Sequence, residues 1–252
     1  MNPISLSHRK IQPLASRAAV ILGFRLRFFS PMGFAEAVRD AGSQFHGVVH
    51  DLTEDQMVLL DEVEGHLYHR EMAKAQFYDT DETFDVTVYC LRSSLERTEA
   101  IPQERYLEIM TEGAKHFGVN QLYVKWLQNL PREPRPSPAD FLSFGPCPNV
   151  AMTREEVSKF DGTNGCPMYV TMNGKVIELL DQSSRVGLVV KMRRKGILAV
   201  EEWAPRMVYD PKYGVPGSIE AMDPEHSAYL EHMMVQRVGG SQACRVVARA
   251  VS

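Results

Sequence analysis

The chain has few cysteines, little net charge and no long apolar run, and each shortage removes a class of protein. Its 252 residues hold 4 cysteines, Cys90, Cys147, Cys166 and Cys244. They are widely scattered, with no zinc-type spacing, no Cys-x-x-Cys and no dense disulfide framework. A reducing, cytoplasmic setting is therefore the expected one. The 28 Lys and Arg stand against 32 Asp and Glu, a net charge of −4. That balance points away from nucleic acid and membrane surfaces as general partners. No stretch reaches the ~18 apolar residues of a transmembrane helix. Met1-Asn2-Pro3 leads into polar residues rather than a hydrophobic core, so no secretory leader is expected.

The length suits one large or two ordinary domains. Leu22, Phe24, Leu26 and Phe28 alternate with Arg25 and Arg27, which predicts a strand from Arg17 to Ser30. Pro31-Met32-Gly33 reads as a turn. A second strand begins at Phe34 and is expected to turn at Asp40-Ala41-Gly42-Ser43, before a third from Gln44 to Asp51. Thr53-Glu54-Asp55-Gln56 fits a capping box, opening a helix from about Glu54 to about Val63. Glu64 and Gly65 sit where that helix ends, and Gly65 suits a left-handed exit. Strands are predicted from Tyr68 to Tyr78 and from Phe84 to Leu91, around a turn at Asp79-Thr80-Asp81-Glu82. Short connections imply antiparallel sheet, expected to curl into a small β-barrel. Two helices follow, one opened by Ile101-Pro102 and ending near Gly118, the other from about Gln121 to Asn129. The fold class is α+β.

Glu64 is the residue with chemical interest. A carboxylate at a helix-to-strand corner among apolar residues is placed to lose part of its hydration. Desolvation raises a glutamate pKa and makes it a usable base near neutral pH. A glutamate at a helix end is also commonly a solvated surface residue. His66 and His69 lie three apart in an extended segment, hence on opposite faces. His46 and His50 share a strand face without an implied carboxylate or thiol partner. No metal site is expected.

Leu60-Asp61-x-x-Glu64-Gly65 resembles the Leu-Asp-x-x-Glu-Gly segment of the γ-glutamylcyclotransferase family. Gly23-Phe24-Arg25-Leu26-Arg27-Phe28 is similar to its early strand, and His46-Gly47-Val48-Val49 to its Gly-Val-Val strand. Pro102-x-x-x-Tyr106, Gly113-Ala114 and Tyr123 are similar to its C-terminal helical pair. The order of these pieces holds over roughly 130 residues. The resemblance implies a cofactor-free enzyme that cyclises a γ-glutamyl amide or peptide. It releases 5-oxoproline and an amine or amino acid, with Glu64 as general acid/base. It implies that Tyr123 contacts the substrate, although a tyrosine on a helix face needs no such role. Asp61 and Glu62 are candidates to raise the Glu64 pKa by like-charge repulsion, and Asp61 equally a structural hydrogen-bond acceptor. The family opens with a strand leading into a Tyr-Gly-Ser-Asn loop, whereas Met1 to Arg9 is similar to the residues just behind that loop. The expectation is a truncated or mis-started family member. The alternative is a shorter, non-catalytic binding or scaffold protein that kept the barrel without the substrate loop. A barrel missing one strand exposes unpaired edges and lacks the loop amides that hold substrate, so the expectation is a chain that aggregates or forms a homodimer and turns over γ-glutamyl substrates poorly or not at all.

Pro131 to Pro138 carries four prolines, and residues 131–150 read as a Pro-rich linker between a domain over 1–130 and an α+β domain of unknown role over 151–252. There, Thr153-Arg154-Glu155-Glu156 is a capping box, and Asn173-Gly174 marks a hairpin between Met168 and Leu179. Residues 152–180 bear a partial resemblance to the start of cytochrome-b5-like domains. The His-Pro-Gly-Gly and Tyr-Gly-Pro-Gly stretches of those relatives are absent, so no haem is implied. Residues 186–190 and 196–200 read as strands around the basic run Lys191 to Lys195, which reads as a solvated hairpin turn, the alternative being a phosphate or nuclear-import patch. Asp223 caps a helix with Pro224 at its first position and an end at Gly239 or Gly240. Cys244 to Val251 is a closing strand.

Overall fold

The structure is a computed structural model that describes residues 2–29, 33–65, 68–92, 98–180, 187–200, 209–214, 222–238 and 243–251. Residues 31, 32, 66, 239 and 240, on which part of a predicted turn, a histidine and a predicted helix end fall, lie outside them. The chain divides into two compact units, Met1–Arg135 with Tyr209–Pro211, and Pro136–Val208 with Lys212–Ser252.

The first unit starts with helix α1 (Pro3–His8). Asn2 caps it, its Oδ1 accepting from the Ile4 N–H at 2.9 Å and the Ser5 N–H at 3.4 Å. Leu6 and Ile11 then bury against Leu60. Strands β1 (Ala15–Phe29) and β2 (Phe34–Asp51) pair antiparallel along most of their length. The turn expected at Asp40 to Ser43 does not form. The pairing passes from Leu22↔Gln44 to Phe24↔Arg39, so these four residues bulge opposite Gly23 alone. Gly23 takes φ +74°, a conformation open to glycine at little cost. The Ser43 hydroxyl closes the bulge on Asp40 Oδ2 at 2.7 Å. A local turn signal was absorbed by a partner strand that can bend.

Helix α2 (Glu54–Glu64) leads to β3 (Tyr68–Phe77) and β4 (Thr83–Leu91). The sheet order is β2-β1-β3-β4. Hydrogen bonding leaves it open rather than closed as a barrel: β1 carries both β2 and β3, and among the described residues β2 and β4 are not paired as neighbours. Ala19, Ile21, Phe24, Ala73, Ala75 and Cys90 form its inner core. Helices α3 (Glu104–His116) and α4 (Gln121–Gln128) cover the other side through Ala114, Val119, Val124 and Leu127. Gly33 lets β2 begin tight against α3's approach, since a Cβ there would meet Ile101 O and Pro102 Cα at 2.7 Å.

The second unit is an α+β sheet of order β5-β8-β7-β6. Its strands are β5 (Ala151–Thr153), β6 (Met168–Met172), β7 (Lys175–Leu179) and β8 (Cys244–Val251). Thr153 and Glu156 make the reciprocal capping box that opens α5 (Arg154–Ser158). Asn173 and Gly174 take φ +49° and +69° in the hairpin between β6 and β7. Residues 187–190 of the strand expected over 186–190 instead belong to helix α6 (Gly187–Arg194), and residue 186 lies outside the described residues. Its β-branched run suits a strand locally, but Val189, Val190 and Arg193 fall at helical spacing and are all buried. The Arg193 guanidinium donates to the carbonyls of Val157, Ser158, Phe160 and Tyr169, so one residue of the basic run is structural. Helix α7 (Pro224–Val238) completes this core. Asp223 Oδ1 caps it, accepting from the Glu225 and His226 N–H groups.

Candidate active site

Glu64 is the last residue of α2, and its position follows from both ends of that helix. Thr53 Oγ1 accepts from the Gln56 N–H at 3.3 Å, and the Gln56 side chain donates to Gln12 O at 2.7 Å instead of closing the reciprocal half of the box. At the other end Gly65 takes φ +68°, ψ −158°, a region essentially confined to glycine. A Cβ at Gly65 would meet nothing within 4 Å, so glycine serves the backbone conformation rather than the space.

The Glu64 side chain is 23% exposed and faces Arg9, Nη1 to Oε1 3.8 Å. Burial raises its pKa above the ordinary 4.5, and the Arg9 charge opposes that rise. The like-charge neighbours expected to do this do not. Asp61 turns to Arg70, which grips both its oxygens, and to the Tyr89 hydroxyl at 2.7 Å. These bonds, Arg70 first, hold Asp61 below the usual carboxylate range, so it is a structural acceptor.

Two tyrosines stand within electrostatic range of Glu64, Tyr68 at the start of β3 and Tyr106 in the first turn of α3. Both grip the backbone of one residue: the Tyr68 hydroxyl donates to Ala35 O, and the Ala35 N–H donates to the Tyr106 hydroxyl, each at 3.3 Å. Burial pushes both phenols up, so both keep their protons. Beside them the carboxylate of Glu36, 1% exposed, pairs with Arg27 at 2.8 Å. Sequence reading passed over Glu36 because its partner Arg27 is set opposite by strand register, not by nearness in the chain.

Tyr123 has other company. Its ring lies 4.8 Å from His46 and 4.9 Å from Trp126, and the His46 Nδ1 lies 2.7 Å from the Tyr78 hydroxyl. The contacts described for Tyr123 share no member with Arg9, Tyr68 and Tyr106. His50 bonds through Nδ1 to the Ser16 hydroxyl at 2.8 Å, so the two histidines of β2 serve different partners. Among the described residues no three of His, Cys, Asp and Glu could hold a metal ion. No helix among them is long and apolar enough to cross a membrane.

Residues 4–108 match the family model described as gamma-glutamyl cyclotransferase, AIG2-like. The matched stretch takes in Arg9, Glu64, Tyr68 and Tyr106 and stops short of Tyr123. Among solved structures, one titled gamma-glutamyl cyclotransferase is 20% identical over 48% of this chain and 78% of its own, with a TM-score of 0.42. An uncharacterized protein from Homo sapiens is 21% identical over 47% of this chain and 77% of its own, with a TM-score of 0.43. YkqA from Bacillus subtilis is 17% identical over 46% of this chain and 45% of its own, with a TM-score of 0.39. The search of curated proteins found no match. The family-model match ends inside α3, and α4 lies beyond it.

Proposed function

We propose that the unit carrying Glu64 cleaves a γ-glutamyl amide or peptide by intramolecular cyclisation. The observation that supports this most is a carboxylate at the matched helix-to-strand corner, largely buried, with its pKa raised by desolvation and an arginine opposite. In this reading the substrate's α-ammonium gives a proton to the Glu64 carboxylate. The freed amine attacks the side-chain carbonyl carbon, forming the lactam C–N bond. The original amide C–N bond breaks as the protonated Glu64 gives its proton to the leaving nitrogen, and the second proton shed by the ring nitrogen passes through the Glu64 carboxylate to the same amine, which departs as an ammonium. The substrate supplies proximity itself, because nucleophile and electrophile belong to one molecule. What the protein must supply is a carboxylate that is ionised when substrate binds yet basic enough to take the proton, the property burial confers on Glu64.

The test is an equimolar release of 5-oxoproline and free amine from γ-glutamyl dipeptides and γ-glutamyl amines. No release from any of them would sink the proposal. Tyr123 enters it as a substrate contact. Tyr123→Phe should then raise KM several-fold at unchanged kcat, whereas a tyrosine serving only the His46–Tyr123–Trp126 stack would leave both constants alone.

The pH profile carries a sign. A base must be ionised, so kcat/KM should fall as pH drops through the Glu64 pKa, and that acid limb should lie above the ordinary 4.5. Arg9 favours the ionised form. Arg9→Leu should therefore move the limb further up; a downward move would show that Arg9 does not face the working carboxylate.

A further inference from the structure

The second unit contains an extended segment bound to a helix through two buried acceptors. Following the short 3-10 turn Pro138–Asp140, the Leu142 N–H donates to His232 Nδ1 at 2.9 Å and the Phe144 N–H donates to Glu231 Oε1 at 2.8 Å. The two amides are two residues apart, the repeat of an extended chain presenting one edge. Both acceptors sit on α7 and are buried, Glu231 at 6% and His232 at 5% exposure. Phe141 packs its ring 5.6 Å from both Tyr229 and His232. The segment is thus held as a peptide would be, by backbone amides and one aromatic anchor.

We propose that Pro138–Phe144 is a strap held on α7 only while His232 is neutral, and that acid releases it. An imidazole nitrogen accepts a hydrogen bond only without its proton. Protonation would turn Nδ1 into a donor aimed at the Leu142 N–H, leaving a buried clash of two donors. Among the described residues, the groups that face this point are few. Glu231, beside it in sequence, is engaged by Lys175 Nζ at 2.6 Å and Asn173 Nδ2 at 3.1 Å as well as by Phe144. Tyr229 and Phe141 present rings, Ser137 holds the Asp140 carboxylate at 2.7 Å, and toward the start of α7 Lys212 and Tyr213 bind Glu225. His226 stacks on Tyr213 at 4.7 Å. Nothing described competes with Leu142 for His232 Nδ1. Burial also holds the His232 pKa below the ordinary 6.5. A group with a lowered folded pKa contributes its stability above the ordinary value and loses it as pH falls through the folded one, so release belongs to the acid side of 6.5.

The experiment is NMR-detected hydrogen exchange of the full chain between neutral pH and pH 5, with the Val170 amide of β6 as internal reference. The protection of Leu142 relative to Val170 should be constant near neutrality. It should then fall about tenfold per pH unit below the His232 midpoint, with Phe144 following. In His232→Gln, whose side-chain oxygen accepts but does not titrate, the ratio should stay flat. A flat ratio in the unmodified protein would overturn the proposal. So would a fall in His232→Gln matching that of the unmodified protein, which would point to Glu231 instead. Should His232→Gln not fold, the imidazole shift of His232 decides. Its midpoint must coincide with the loss of Leu142 protection, and separate midpoints refute the strap.

Discussion

Glu64→Gln should cut 5-oxoproline release by about 10²–10⁴-fold, the usual contribution of a general acid–base group. The amide matches the carboxylate in shape but moves no proton. Glu62→Gln, two residues back and exposed, should cost far less. Equal losses at the two positions would mean that Glu64 is not the working carboxylate. The same substitution has an opposite effect on stability. Because the folded pKa of Glu64 is raised, its stability contribution is fullest below about 4.5 and is lost as pH rises through the folded value. At neutral pH the fold therefore carries a penalty for the buried charge. Glu64→Gln should raise the melting temperature there, and the gap should close in acid. A variant less stable than the unmodified protein at pH 7 would show that Arg9 more than offsets the desolvation.

Asp210→Ala should be the most destabilising single substitution predicted for the first unit. Asp210 is 0% exposed and is counter-ion to two arginines, Arg135 at 2.7 Å and Arg105 at 3.7 Å, themselves only 14% and 8% exposed at the side chain. Arg135 also grips Glu108, and Arg105 donates to Tyr209 O at 2.6 Å. Removing one partner of a buried pair strands the other charge, a loss of about 3–5 kcal/mol. For a domain of this size that is a fall in melting temperature on the order of 10 °C or more. Asp79→Ala supplies the comparison. Its two 2.8 Å bonds to Arg17 are as short, but the partners are 71% and 51% exposed. Exposed pairs contribute about 0–1 kcal/mol. Losses of equal size would show that the Asp210 cluster is screened by solvent.

What could be read from the sequence was what short-range chemistry decides. The Thr53 and Thr153 caps, the Asn173-Gly174 hairpin, the Asp223-Pro224 helix start and the Glu64-Gly65 corner each depend on residues a few positions apart. What could not be read depends on distant partners. The expected turn at Asp40 to Ser43 became a bulge because Gly23, far back in the chain, lies opposite. The Val189-Val190 run became helix because α6 buries its apolar side in a core built by β6, β7 and α7. Of the candidate site, Glu64 was legible through its corner and its resemblance. Tyr68 and Tyr106 do not stand out as its neighbours in the sequence, because the Ala35 backbone that gathers their hydroxyls is brought there by strand pairing.

The return of Tyr209–Pro211 to the first unit sets a timetable for synthesis. At roughly 5–20 residues per second, the ribosome needs on the order of several seconds to extend the chain from Arg135 to Pro211. Throughout that interval Arg105 and Arg135 have been made and Asp210 has not. Domains are generally expected to fold from the N-terminus as they emerge. This one must hold Arg105 and Arg135 open to water, or to a chaperone, until most of the second unit has also left the ribosome.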